Sequence, residues 1–326
     1  MENSQLRIGT RGSPLALIQT KLVTEALKNT HVHLKEKGAV EMVVITTTGD
    51  RVQNQVLAEL GGKGLFTKEL DEAIVSERID IAIHSMKDMP TFLPAGIALH
   101  PIMPREDVRD AFISDKAPSL DSLAPESSIG TASLRRKSQL LNHRPDLNIL
   151  PIRGNVGTRI NIIKEGKLDA TLLAYAGLKR LGKEEVITEV IDTNVLLPAV
   201  GQGSLAATCR DDDSRANTFL TSLSEPLTTA AIIAERAMLT VLDGSCHTPI
   251  GGLAQPDSQG NLELRGLIAR PDGIEKAEVT MTAPITEAEN LGKSVGEELL
   301  NKAGLDILRS IKQNRPIFIR PHPEAE

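Results

Sequence analysis

The sequence predicts an α/β protein of three domains, two α/β lobes followed by a smaller α+β C-terminal domain. Three observations carry that prediction. From residue 6 to residue 182, short apolar strand patterns alternate with helical ones, as in βαβ units with a mostly parallel sheet. The stretch "IGTRGS" (8–13) returns as "IGTAS" (129–133). Each runs strand, Ile-Gly-Thr, Ser cap, helix, which points to two similar lobes. From residue 224 onward a long helical pattern precedes segments that alternate apolar and polar residues, as half-buried antiparallel strands do.

In chain order, "LRIGT" (6–10) reads as a strand. Ser13 is placed as a helix N-cap with Pro14 at the first helical position, and Leu15, Ile18, Leu22 and Ala26 recur at helical spacing. "EMVVITTT" (41–48) is a strand, "GGKG" (61–64) a flexible loop, and "LFTKELDEAIVSE" (65–77) a helix. "IDIAI" (79–83) is fully apolar, as a strand covered on both faces should be. In the second series "SSIGT" (127–131) is a strand, Ser133 caps the helix "LRRKSQLLNH" (134–143), and "LNILPIR" (147–153) is a strand. "GNVGTRINIIKEG" (154–166) opens a helix, "DATLLA" (169–174) is a strand, and "YAGLKRLG" (175–182) begins another helix. "AVGQGSLAATC" (199–209) is a strand able to return to the first lobe. The third domain reads as a long helix (224–244), strands at 261–269 and 275–283, and an amphipathic helix at 286–303.

Composition narrows the function classes. The chain has 326 residues, a net charge of -6, no Trp, one Tyr and five Phe. Few aromatics disfavour base stacking, and the acidic balance disfavours a general polyanion-binding surface. The start, "MENSQLRIGT", shows neither the basic nor the apolar region of a secretory signal, and no apolar run nears the ~18 residues of a membrane span. The two cysteines, Cys209 and Cys246, lack metal-type spacing. The expected class is a reduced, cytoplasmic enzyme with no nucleic-acid, membrane or metal partner.

The acidic total contains an ordered set of cations. Arg11 precedes a helix start, Lys63 sits among glycines, and Lys87 ends a strand. Arg135 and Arg136 occupy a first helical turn, Arg153 and Arg159 bracket "GNVG", and Arg180 lies in "AGLKR". Cations favour helix C-termini, where the macrodipole is negative, so Arg135 and Arg136 imply an anion shared with the free helix N–H groups. Arg11, Lys87, Arg135 and Arg153 fall at the carboxyl edge of the strands, where open α/β sheets bind ligands. The ligand implied is small and multiply anionic. "GGKG" lacks P-loop spacing and no G-x-G-x-x-G follows a strand, so several carboxylates fit at least as well as phosphates. Asp88, beside Lys87 at the tip of "RIDIAIHSMKDMP" (78–90), would repel such a ligand. Its useful partners are a developing cation or an N–H group, which makes it a candidate for electrostatic or acid–base catalysis; the plain alternative is a structural ion pair. In "LDGSCHTPIGG" (242–252), Cys246 lies on a Gly/Ser turn and could be a reactive thiol. Cys209 ends an apolar strand and reads as an inert core thiol.

The motifs "TRGSPLAL", "GGKGLFTKEL", "DIAIHSMKDMP", "REDVRDAF", "IGTASLRR", "LPIRGNVGTR", "AGLKRLG", "LPAVGQG", "AERAML" and "GSCHTPIG" span nearly the whole chain. In combination they resemble the porphobilinogen deaminase (hydroxymethylbilane synthase) family. The resemblance implies two periplasmic-binding-protein-like α/β lobes plus a smaller α+β C-terminal domain. Domain 1 would be residues 1–103 completed by 200–222, domain 2 residues 104–199, and domain 3 residues 223–326. It implies head-to-tail condensation of four porphobilinogen molecules, with release of ammonia, into hydroxymethylbilane, by a monomer. It also implies a dipyrromethane cofactor bound by a thioether to Cys246. By the same resemblance Asp88 is catalytic; Lys87, Ser133, Arg135, Arg136, Asp50 and Ser85 contact the cofactor; and Arg11, Ser13, Arg153, Arg159, Arg180, Lys63, Phe66 and Gln202 contact the substrate. One departure is Ser245, where the family commonly has a second Gly before the cysteine. The alternatives are a two-lobed binding protein for a polycarboxylate, without chemistry, and a phosphate-handling transferase.

Overall fold

The computed structural model describes residues 5–51, 66–242 and 248–313. The first lobe holds β1 (Leu6–Thr10), α1 (Pro14–Thr30), β2 (Val40–Val44), α2 (Thr48–Arg51), α3 (Lys68–Val75), β3 (Ile81–Ser85) and β4 (Ile97–Ile102). The second holds β5 (Asp110–Ser114), β6 (Ser128–Gly130), α4 (Leu134–His143), β7 (Asn148–Leu150), α5 (Val156–Lys164), β8 (Ala170–Ala174), α6 (Tyr175–Arg180) and β9 (Glu189–Ile191). The chain then runs through β10 (Leu205–Arg210) and α7 (Ser214–Thr221) into α8 (Pro226–Val241), β11 (Ile250–Pro256), β12 (Leu262–Ala269), β13 (Lys276–Ala283) and α9 (Ala288–Gln313).

The two lobes repeat one sheet design. The first sheet has the order β2-β1-β3-β10-β4 and the second β7-β6-β8-β5-β9. In each, three parallel strands are followed by one antiparallel strand, β10 or β5, and then an edge strand. The repeated Ile-Gly-Thr therefore occupies equivalent places. Gly9 faces Ile79 and Leu70, and Gly130 faces Ile152 and Leu168. In both lobes an absent Cβ is what lets aliphatic side chains close over the strand. Ser13 and Ser133 cap α1 and α4, accepting hydrogen bonds from the N–H of Ala16 and Arg136, each cap contributing about 1 kcal/mol. β10 enters the first sheet between β3 and β4, as its apolar run suggested.

β4, β5, β9, β11, α2 and α7 carry no pattern that marks them in the sequence, and Thr48, expected in a strand, begins α2. β4 carries Pro101, which a ladder tolerates at an edge. β5 is a five-residue strand buried throughout, and β9 has three residues; neither offers a period to read. α9 runs past 303, with a break at Gly304 (φ 65°).

In the third domain β11, β12 and β13 form an antiparallel sheet. Its core joins Met238 and Ala234 of α8 to Leu264 and Ile268 of the sheet and to Val295 and Leu299 of α9. Glu235 of α8 is fully buried. It accepts hydrogen bonds from Arg105 Nη1 and Nη2 (2.5 and 3.1 Å), Gly201 N (2.7 Å) and Ala254 N (2.8 Å). One carboxylate thus ties this domain to both segments that cross between the lobes.

A second buried carboxylate opposes folding. Asp71, in α3, has an oxygen without a hydrogen-bond partner, and burial pushes its carboxyl up to about 6. Between its unfolded value near 3.8 and 6, the folded state holds a proton that the unfolded chain has released, so stability falls as pH rises through that window. Asp71→Asn is expected to stabilise the protein by about 1–3 kcal/mol at pH 7.5, with the gain shrinking at pH 4.5. Urea midpoints at both pH values check this; an equal gain at both would contradict it.

Candidate active site

The tip of β3 explains the adjacent cation and anion. After the buried strand, Met86–Asp88 form a 3-10 turn. Met86 and Met89 are buried, and Met86 N donates to Ser204 O (3.0 Å). The two methionines anchor the turn and leave Lys87 and Asp88 on the wall of a cavity between the lobes. The crossing segments close in behind. Gly201 (φ +75°) lies against Met86 and the Lys87 backbone, and Gly203 (φ +89°) lies against the backbone of Glu106 and Asp107. A Cβ at Gly203 would collide with the Glu106 carbonyl, and its φ is one that L side chains rarely adopt. Gly203→Ala is expected to cost about 1–3 kcal/mol and to lower turnover as well. An unchanged denaturation midpoint would contradict that.

The cavity encloses about 790 Å³. Among the described residues its wall carries seven cationic side chains, Arg11, Lys87, Arg136, Arg153, Arg159, Arg180 and Lys183, and a single carboxylate, that of Asp88. Both lobes contribute. Arg11 follows β1 and lies over the Phe66 ring, 4.2 Å from its centroid. Arg153 follows β7. Arg159, in α5, donates from Nε to Gly154 O (3.0 Å). Arg180 ends α6 and donates to Gly203 O (2.7 Å) on the crossing segment. Lys87 donates from Nζ to Gln202 Oε1 (3.3 Å). Burial, then the nearby Arg136, push the Lys87 ammonium down to about 8. Burial, then Arg136, push Arg159 down to about 10. Concentrated positive charge of this kind favours a small ligand bearing several negative charges.

Not every predicted site residue reaches the cavity. Ser13 and Ser85 line it, with Gln19 Nε2 donating to Ser85 Oγ (2.9 Å). Ser133, Arg135 and Gln202 do not. Arg135 and Arg136 find the anion that their first-turn position implied within the chain itself. It is Asp110, fully buried at the start of β5, 2.6 Å from each guanidinium. Burial opposes ionisation of Asp110, but the two guanidiniums outweigh it and hold the carboxyl well below the usual range. Arg136 still presents one surface to the cavity; Arg135 is enclosed. Lys63 and Cys246 lie outside the described residues, as does the Asp50 side chain of α2. Asp110 and Lys183 join the site without having been expected from the sequence. Asp110 carried the same signal as Asp88, a charged residue at one end of an apolar strand.

Two α/β lobes of one sheet design face each other across a cation-rich cavity, the architecture of a two-lobed α/β protein. Residues 6–218 match the family described as "Porphobilinogen deaminase, dipyromethane cofactor binding domain", and residues 229–301 match "Porphobilinogen deaminase, C-terminal domain". The chain belongs to the porphobilinogen deaminase family. It is 51% identical to the chloroplastic porphobilinogen deaminase of Pisum sativum, covering 92% of this chain and 82% of that protein. It is 48% identical to the porphobilinogen deaminase of Nitrobacter winogradskyi, covering 91% of this chain and 93% of that one. Among solved structures, the methionine-binding protein MetQ overlaps 67% of this chain and 89% of its own, with a TM-score of 0.41 and 14% identity.

Proposed function

We propose that the cavity joins four porphobilinogen molecules head to tail into hydroxymethylbilane on a dipyrromethane primer held by Cys246. The observation that carries this reading is the cavity wall, which among the described residues carries seven cations around one carboxylate. A porphobilinogen ring bears an acetate and a propionate, and a dipyrromethane bears two of each. The wall therefore suits substrate and cofactor together, with Lys87 and Arg136 at the cofactor, and Arg11, Arg153, Arg159 and Arg180 at incoming rings. When bound, the dipyrromethane supplies the free pyrrole carbon to which a ring is joined.

Each addition breaks the aminomethyl C–N bond, forms a C–C bond, and sends the proton of the accepting carbon away with ammonia. The substrate's methylene carbon becomes electron-poor as the nitrogen leaves. Beside so many cations, that charge would be strongly disfavoured. Asp88 is the counter-charge, and its carboxylate accepts from pyrrole N–H groups, holding the ring while the positive charge develops. The arginines supply binding energy that is much the same before and during reaction; Asp88 supplies the part specific to the transition state.

We place the enzyme in the cytoplasm as a monomer; of these two, the free, buried Cys209 bears only on the first, being compatible with a reducing compartment. The Pisum sativum and Oryza sativa relatives are named as chloroplastic. No described helix is long and apolar enough to cross a membrane. The binding-protein alternative retains the cations but leaves Asp88 without a purpose. Incubation with porphobilinogen separates the readings: a deaminase releases ammonia, and a binding protein returns the substrate intact.

A further inference from the structure

Resting on the deaminase reading, we propose that Asp110 is a positioning residue for this reaction, orienting Arg136 directly and Lys87 through Gln202. It thereby sets the anion-binding groups of the two lobes from one buried carboxylate. Asp110 Oδ1 accepts from Arg136 Nη2 (2.6 Å) and Nε (3.1 Å) and from Gln202 Nε2 (3.0 Å). Its Oδ2 accepts from Arg135 Nη1 (2.6 Å). The Gln202 amide nitrogen also donates to Val108 O (2.8 Å). Both partners of that nitrogen are pure acceptors, which fixes the amide orientation and turns Oε1 toward Lys87 Nζ. Carboxylate, amide and ammonium thus form a chain from β5 of the second lobe, across the crossing segment, to the tip of β3 in the first. Arg136 is held side-on by Asp110, with its remaining Nη1 donating to Leu172 O (2.9 Å). Neither cavity-lining cation is left to choose its own rotamer.

Charge adds a second effect. Lys87 faces Arg135 and Arg136 from α4, Asp110 from β5 and Asp88 from its own turn. Removing the Asp110 charge leaves, among the described residues facing Lys87, two guanidiniums opposed by Asp88. Lys87 then loses its proton at lower pH, and with it the charge that binds a carboxylate.

The test uses the full chain, with Asp110→Asn and Gln202→Met, reading KM and kcat for porphobilinogen from pH 6 to 9, intact mass, and thermal midpoint. In the parent protein KM should climb above about pH 8: as Lys87 deprotonates, the cofactor it holds is less well placed to receive an incoming ring. Asp110→Asn is expected to raise KM by about tenfold at pH 7.5 and to start the climb about one pH unit lower. Its purified form should carry a smaller fraction of the dipyrromethane mass. Gln202→Met keeps both Arg–Asp pairs but removes the donor to the Val108 carbonyl, so its thermal midpoint should fall by less than that of Asp110→Asn, and its KM should rise by about three- to tenfold with kcat little changed. If Asp110→Asn does not fold, Gln202→Met decides alone. Parent-like KM values and pH profiles in the folded variants would overturn the proposal and leave the deaminase reading intact. A parent chain that releases no ammonia would sink that reading and this role with it.

Discussion

Asp88→Asn is expected to give a soluble, folded protein whose turnover is lower by about two to three orders of magnitude. The fold should survive because the turn is held by Met86 and Met89 in the core, while the Asp88 side chain is exposed on the cavity wall. Turnover should not, because Asp88 is the single negative charge among the described residues of that wall. Its amide has nearly the same shape and can still accept a hydrogen bond, so the loss isolates the charge. Asp88→Glu should also be impaired, since one added methylene moves the carboxylate away from the pyrrole N–H groups. Thermal unfolding by circular dichroism and ammonia release from porphobilinogen check the two halves. A near-normal rate for Asp88→Asn would reduce Asp88 to a structural ion pair.

Cys246→Ser is expected to lose both the cofactor and turnover, whereas Cys209→Ser keeps both. Cys209 is fully buried in the core of the first lobe, its Sγ 3.8 Å from His100 Nε2. Burial pushes its thiol up to about 12. At neutral pH it is essentially never a thiolate, and the thiolate is the nucleophile. Cysteine capture of an electron-poor methylene carbon therefore falls to Cys246. A thioether formed there resists reducing agents, unlike a disulfide, and keeps the growing chain tethered. The intact mass of the purified protein should exceed the sequence mass by two porphobilinogen units less two ammonias. Cys246→Ser should lack that increment. Cys209→Ser should carry it at a stability cost of about 1–2 kcal/mol, from placing a hydroxyl in the core. An active protein with an unmodified Cys246 would contradict this assignment.

Much of the architecture was legible because it is local. The Ser13 and Ser133 caps, the buried run before Lys87 and the recurrence of Ile-Gly-Thr each follow from backbone needs within a few residues. Edge and short strands such as β4 and β9 were not legible, because pairing with β10 and β5 makes them strands. Their own periodicity does not. At the site, the sequence placed the cations at strand ends correctly as a pattern and misread the partner of two of them. Arg135 and Arg136 do neutralise an anion, but Asp110 lies 25 residues before Arg135, and only the folded lobe brings it beneath them. Glu235 is a similar case. It reads as an ordinary acidic residue on an apolar helix, yet it accepts four hydrogen bonds from segments up to 130 residues away. Long-range pairing of buried charges has no local signature.

The central claim is that this cavity joins pyrrole units, beyond merely holding them. The most direct measurement is the stoichiometry of ammonia released to linear tetrapyrrole formed when the purified protein is incubated with porphobilinogen. The account predicts catalytic release, with four ammonia molecules for each hydroxymethylbilane. Porphobilinogen recovered intact, with binding but no ammonia, would contradict it.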